Sequence, residues 1–116
     1  STPGGQGYNE IRFTDTAGHE EIFIHAQKNR REIIGHNDNC TIRANRTTTV
    51  AAQDTLQVGN TLTIQAGSEI ILKVGGSTVT ITPSGITMTG SAMSHNAKSM
   101  ALTAPSMQMT GTVKIN

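Results

Sequence analysis

The chain has 116 residues, a hydrophobic fraction of 34%, only 3% aromatics and no Trp, so it lacks the large side chains a small monomeric core uses. Charge does not fill the gap: net charge is +1 and charged residues make up 15%, while Thr alone contributes 18 positions. Abundant Thr, Val and Ile without net charge disfavours disorder and favours β structure closed by copies of itself. A single cysteine, Cys40, excludes an internal disulfide framework and suits a reducing compartment. No apolar run approaches the ~20 residues of a membrane helix, no signal peptide is legible, and scattered Lys and Arg give no basic stripe for nucleic acid.

In chain order, residues 1–7 (Ser-Thr-Pro-Gly-Gly-Gln-Gly) read as a flexible linker cut from a longer protein. Residues 8–31 read as a hairpin neck and its connection. Ile11 and Phe13 alternate with Arg12 and Thr14, and Ile22 and Ile24 alternate with Phe23 and His25. Between them Asp15-Thr16-Ala17-Gly18 is the turn, with Gly supplying the positive φ. Lys28, Arg30 and Arg31 form a solvated basic connection.

Residues 32–116 read as the main body. Residues 32–79 divide into octads: EIIGHNDN, CTIRANRT, TTVAAQDT, LQVGNTLT, IQAGSEII and LKVGGSTV. The third place is Ile34, Ile42, Val50, Val58, Ala66 and Val74, and Gly often follows it. Even-numbered Leu56, Val58, Leu62, Ile64, Ala66, Ile70, Leu72 and Val74 are apolar, and the odd positions between them are polar apart from Ile71. A period of two defines a buried and a solvated strand face. A period of eight with Gly predicts one kink per repeat. After Gly75-Gly76 the repeat shortens to seven, with pairs Val79/Ile81, Ile86/Met88, Met93/His95, Met100/Leu102 and Met107/Met109. The last pair, Val113/Ile115, comes one residue early.

Eight residues give one short strand per side, whereas a single-chain solenoid coil needs about twenty or more to enclose a core. Three chains winding about one axis solve this. The expected fold is therefore all-β: an intertwined three-chain β-helix, or trimeric β-prism, behind a short hairpin neck. Layers ~4.8 Å apart would make ten or so repeats into a shaft ~50 Å long. The expected trimer core is Val50, Leu56, Val58, Leu62, Ile64, Ile70, Leu72, Val74, Val79, Ile81, Ile86 and Met88.

Gly7-Tyr8-Asn9-Glu10-Ile11-Arg12-Phe13, then Glu20-Glu21-Ile22-Phe23-Ile24-His25-Ala26-Gln27-Lys28 and the Val-Gly repeats, resemble the VgrG spike proteins of bacterial type VI secretion systems. Leu72-Lys73-Val74-Gly75-Gly76-Ser77 and Thr82-Pro83-Ser84-Gly85-Ile86 are similar to the same family's C-terminal spike segment. The resemblance covers essentially the whole chain and extends to contractile-phage central spikes. It implies a non-enzymatic homotrimeric needle that punctures membranes and carries effectors. Its implied partners are secreted effectors, a tube protein reached through absent N-terminal domains, the target membrane transiently, and a PAAR-type cap protein. Such a protein assembles in the bacterial cytoplasm and is then secreted or injected. The sequence departs from the family pattern in the sparse Gly of residues 40–55, and nothing after Asn116 suggests a fused toxin.

Two other classes compete. A receptor-binding shaft such as a phage tail fibre should expose Trp or Tyr to sugars, and Tyr8 alone does not serve. A glycan hydrolase working in inter-subunit grooves needs placed carboxylates, and Asp15, Glu20 and Glu21 have no partner for acid–base work. No nucleophile motif or phosphate loop occurs, and no cofactor is expected. The His-x-His iron site of phage tips is missing, which favours a cap on a blunt end formed by Val113, Lys114, Ile115 and Asn116. His95 has two readings: three imidazoles converging on the axis as a metal site, or a polar turn facing water. The octads' seventh place, Asp38, Arg46 and Asp54, reads either as an inter-chain charge ladder or as solvated charge. The Met series reads as filling for a narrow core.

Overall fold

A computed structural model describes residues 6–116; of the expected linker, positions 1–5 lie outside the described residues. The chain is all-β, with no helix among the described residues. It divides into two compact units, one ending at Asp54 and the other beginning at Thr55.

In the first unit, β1 (Glu10–Thr14) and β2 (Glu21–His25) form an antiparallel hairpin. The register pairs Ile11 with Ile24 and Phe13 with Ile22, so one face carries all four apolar side chains. The other pairs Glu10 with His25, Arg12 with Phe23 and Thr14 with Glu21. As the sequence predicts, the reversal uses Gly18 at φ +83°, a conformation that penalises any Cβ. The His19 amide closes the turn on the Thr16 carbonyl at 2.9 Å.

From residue 26 to residue 69 no segment pairs as a strand within the chain. Bends nevertheless recur every eight residues, at Gly35-His36, Arg43-Ala44, Ala51-Ala52, Gly59-Asn60 and Gly67-Ser68. These are the fourth and fifth places of the octads, where the kink is expected. Beyond residue 90 the bends fall at Ser91, Lys98, Pro105 and Gly111, at seven-residue spacing with the last one residue early. The segments between bends thus have strand-like patterning but no partner inside the chain.

One stretch departs from the simple repeat. The sequence predicts another kink at Gly75-Gly76 and a shorter step beyond it; the structure reverses direction there instead. β3 (Ile70–Val74), β4 (Ser77–Thr82) and β5 (Gly85–Thr89) form an antiparallel meander. Gly75 at φ +55° leads a two-residue turn of the II′ kind, which matches strand twist. Pro83-Ser84 makes the second turn, with Pro pre-set for the first central position. The Thr82 hydroxyl braces it, 3.1 Å from the Ser84 hydroxyl and donating to the Gly85 carbonyl at 3.4 Å. The apolar pairs read as successive repeats instead oppose one another: Val79 with Met88 and Ile81 with Ile86.

None of the described residues is buried. The chain exposes 12346 Å², against the ~6,100 Å² of a compact monomer of this mass. The apolar content is present and regularly placed, but one chain does not cover it.

Candidate interaction surface

The meander concentrates this uncovered surface. Its register places Ile70, Leu72, Val74, Val79, Ile81, Ile86 and Met88 on one face. Opposite lie Ile71, Lys73, Thr78, Thr80, Thr82, Thr87 and Thr89. Strand alternation alone produces this separation, and Gly75-Gly76 preserves its phase across the first reversal. Val74 remains 83% exposed, and Leu72 and Ile86 on the same face are exposed as well. Burying each such side chain stabilises by about 1.5–3 kcal/mol, so five exposed on one face call for a partner surface.

At the Met88 end, a hollow of about 330 Å³ has Leu72, Val79, Met88, Ala92, Met93 and His95 in its lining. Gly90 fits closely beside it, because a Cβ there would lie 3.2 Å from the Ser77 hydroxyl. The hollow gathers the apolar positions of three strands and the following seven-residue step. Its polar lining is Lys73, Ser77, Thr78, Thr89 and His95.

The octad positions expected in the trimer core follow the same pattern. Val50, Leu56, Val58, Leu62 and Ile64 are all exposed in one chain, Leu56 by 70%. Ile70 and Val79 are half-covered through the meander. At the end of the chain Val113, Lys114, Ile115 and Asn116 are exposed and without strand partners, Ile115 by 90%. His95 is exposed, and among the described residues no three His, Cys, Asp or Glu side chains gather as a metal site.

The neck hairpin has a different surface. On its polar face Tyr8 stacks on His25 with ring centroids 4.3 Å apart, and His25 is parallel to Phe23 at 6.3 Å. The Arg12 guanidinium lies 4.8 Å over Phe23 and 2.8 Å from Glu10, with Glu21 at 3.8 Å. Nδ1–H of His25 donates to the Tyr8 carbonyl at 2.8 Å, which fixes the proton on that nitrogen. The Gln27 amide donates to the Asn9 side chain at 2.8 Å, and the Tyr8 amide to the Gln27 side chain at 3.4 Å. A Cβ at Gly7 would fall onto the Gln27 side chain, so a larger residue there displaces the Gln27 side-chain amide that pairs with Tyr8. Sequence reading missed this lock, because its partners lie 17 to 19 residues apart and meet only through the hairpin register. At the turn the Gly18 amide donates to Glu20 at 2.9 Å. Backbone amides, its own first and then that of Gly18, hold the Glu20 carboxyl below its ordinary range. Glu20, Glu21 and Asp15 border one shallow recess with Phe13 and Ile22, where Glu20 serves the turn.

The family model of the bacteriophage T4 gp5 C-terminal trimerisation domain matches residues 1–103. Among curated proteins, the type VI secretion system spike protein VgrG4b of Pseudomonas aeruginosa is 56% identical over 36 residues, 31% of this chain and 4% of that protein. VgrG5 of the same organism is 53% identical over 36 residues, 31% of this chain and 5% of its own length. VgrG3 of Vibrio cholerae, another type VI spike protein, is 50% identical over 42 residues, 36% of this chain and 4% of that protein. The matched stretches therefore span only a small part of these relatives.

Proposed function

The chain belongs to the bacteriophage T4 gp5 C-terminal trimerisation domain family, and from that premise we propose that it is the shaft of a spike that a contractile injection apparatus drives through a membrane. The family is one of trimeric β-helices, and the class fits a chain with regular bends and no buried residue among those described. The observation that carries the proposal is the uncovered apolar face of β3, β4 and β5, continued by the exposed inward places of the octads. Three copies cover these surfaces mutually and pair the strand-like segments that have no partner within one chain. Every strand edge except those at the ends is then closed.

In this reading the domains are the linker at residues 1–7, the neck and connection at 8–31, and the shaft at 32–116. The core residues are the twelve from Val50 to Met88 named above. The work is mechanical rather than catalytic: a stiff, closed shaft transmits the thrust of a contracting sheath to a small tip. Effectors travel with the spike, and a tube protein bears on it through domains of the longer protein. Assembly occurs in the bacterial cytoplasm and is followed by secretion or injection. At the tip, Val113, Lys114, Ile115 and Asn116 of three chains leave unpaired strand edges for β-strand addition by a cap protein of the PAAR type.

The test deletes residues 113–116 from the spike in a secreting strain and measures both trimer recovery and cap retention. The expected result is an intact trimer that no longer retains the cap and is not secreted. Undiminished cap binding refutes the tip assignment, and normal secretion refutes the dependence of injection on it.

A further inference from the structure

The octads change chemistry where the chain divides into its two units. The even-numbered seventh place reads Asp38, Arg46, Asp54, then Leu62 and Ile70, and ends with Thr78 inside the meander. The first place, also even-numbered, reads Glu32, Cys40, Thr48, then Leu56, Ile64 and Leu72. After Asp54, where the first unit ends, both columns are apolar through Leu72, and only then does Thr78 fall on the polar face of the meander. Asp38, Arg46 and Asp54 thus share the register of aliphatic side chains that the trimer encloses. Charges at such a register require opposite charges beside them.

Within one chain they have none. The ion pairs among the described residues join Arg12 to Glu10 and Glu21, and Arg30 to Glu32. Residues 32–69 also have no strand partner in their own chain, so the layers above and below each octad are supplied by other copies. With one octad per prism face, successive layers on a face come from successive octads of three different chains. Their seventh places then stack ~4.8 Å apart, in the order Asp38, Arg46, Asp54. That separation puts each guanidinium within reach of a carboxylate on either side.

We propose that Arg46 of each chain is clamped between Asp38 of one neighbouring copy and Asp54 of the other, and that this charge sandwich sets the register in which the three chains wind. The aliphatic octads below it do not discriminate, since Leu62, Ile64, Ile70 and Leu72 pack against each other almost equally well after a slip of one repeat. The charged layers do: a one-octad slip of the middle chain brings Asp against Asp. The inference rests on the three-chain reading.

The test uses the full 116-residue chain, refolded from denaturant and analysed by sedimentation velocity. Three forms are compared: the unsubstituted chain, Arg46→Asp, and the swap Asp38→Arg/Arg46→Asp/Asp54→Arg. Arg46→Asp is expected to lower the yield of trimer at least tenfold, and the swap to restore it to within twofold of the unsubstituted chain. An Arg46→Asp chain that assembles in full yield overturns the clamp while leaving the trimer standing. A swap no better than Arg46→Asp also overturns it, because restored complementarity should rescue assembly. A monomeric unsubstituted chain overturns both the clamp and the three-chain reading.

Discussion

At the scale of single residues, the chain uses glycine and carboxylate at a few turns where backbone geometry leaves little choice. Gly75 at φ +55° starts the meander's first reversal. Gly75→Ala is expected to destabilise the assembled protein by about 1–2 kcal/mol per chain, and Gly75→Asn by less, because Asn tolerates the left-handed region. Thermal unfolding of the two variants checks the order, and equal losses would contradict it. Glu20 supplies a pH prediction. Its carboxyl is depressed by its own amide and that of Gly18, so the ionised form is favoured in the folded turn. The contribution to stability is therefore fully present above the unfolded value of 4.5 and is lost as pH falls through the lower folded value. Glu20→Gln should abolish the acid-range movement of the Gly18 amide resonance; persistence of that movement in the variant would reassign it to another group.

At the scale of elements, what the sequence makes legible is what periodicity controls. The neck hairpin, its Gly18 turn and its two faces follow from alternation and one glycine. The eight-residue bends follow from the repeat itself, even at Arg43 and Ala51, where no glycine marks the site. The reversal at Gly75-Gly76 was not legible. A single glycine after Val58 or Ala66 produces a bend at Gly59 and Gly67, whereas two glycines flanked by alternating strands produce a hairpin. The Pro83-Ser84 turn then has to bring β5 back into register. The Tyr8, His25 and Gln27 lock was hidden for a related reason, since its spacing has meaning only after β1 and β2 pair. The meander's faces give a direct test. Val79→Asp places a carboxylate on the apolar face of each copy and should destabilise by at least ~3 kcal/mol per chain. Thr80→Asp, on the opposite face, should change stability by no more than ~0.5 kcal/mol. Equal effects at the two positions would contradict the assignment of the apolar face as an interface.

At the scale of the whole molecule, the chain is a component whose core exists only between copies. Its apolar residues are too few and too small for a monomeric core, yet they recur at the places that three-fold winding brings together. In the three-chain reading each layer repeats the same few aliphatic contacts and every interior edge is paired, which would make a shaft stiff despite 3% aromatics. That reading also predicts slow unfolding, because no chain leaves without breaking layers contributed by the other two. Sedimentation equilibrium of the 116-residue chain tests this most directly. The three-chain reading predicts a single species of three times 12.3 kDa, whereas a folded species of 12.3 kDa would contradict it.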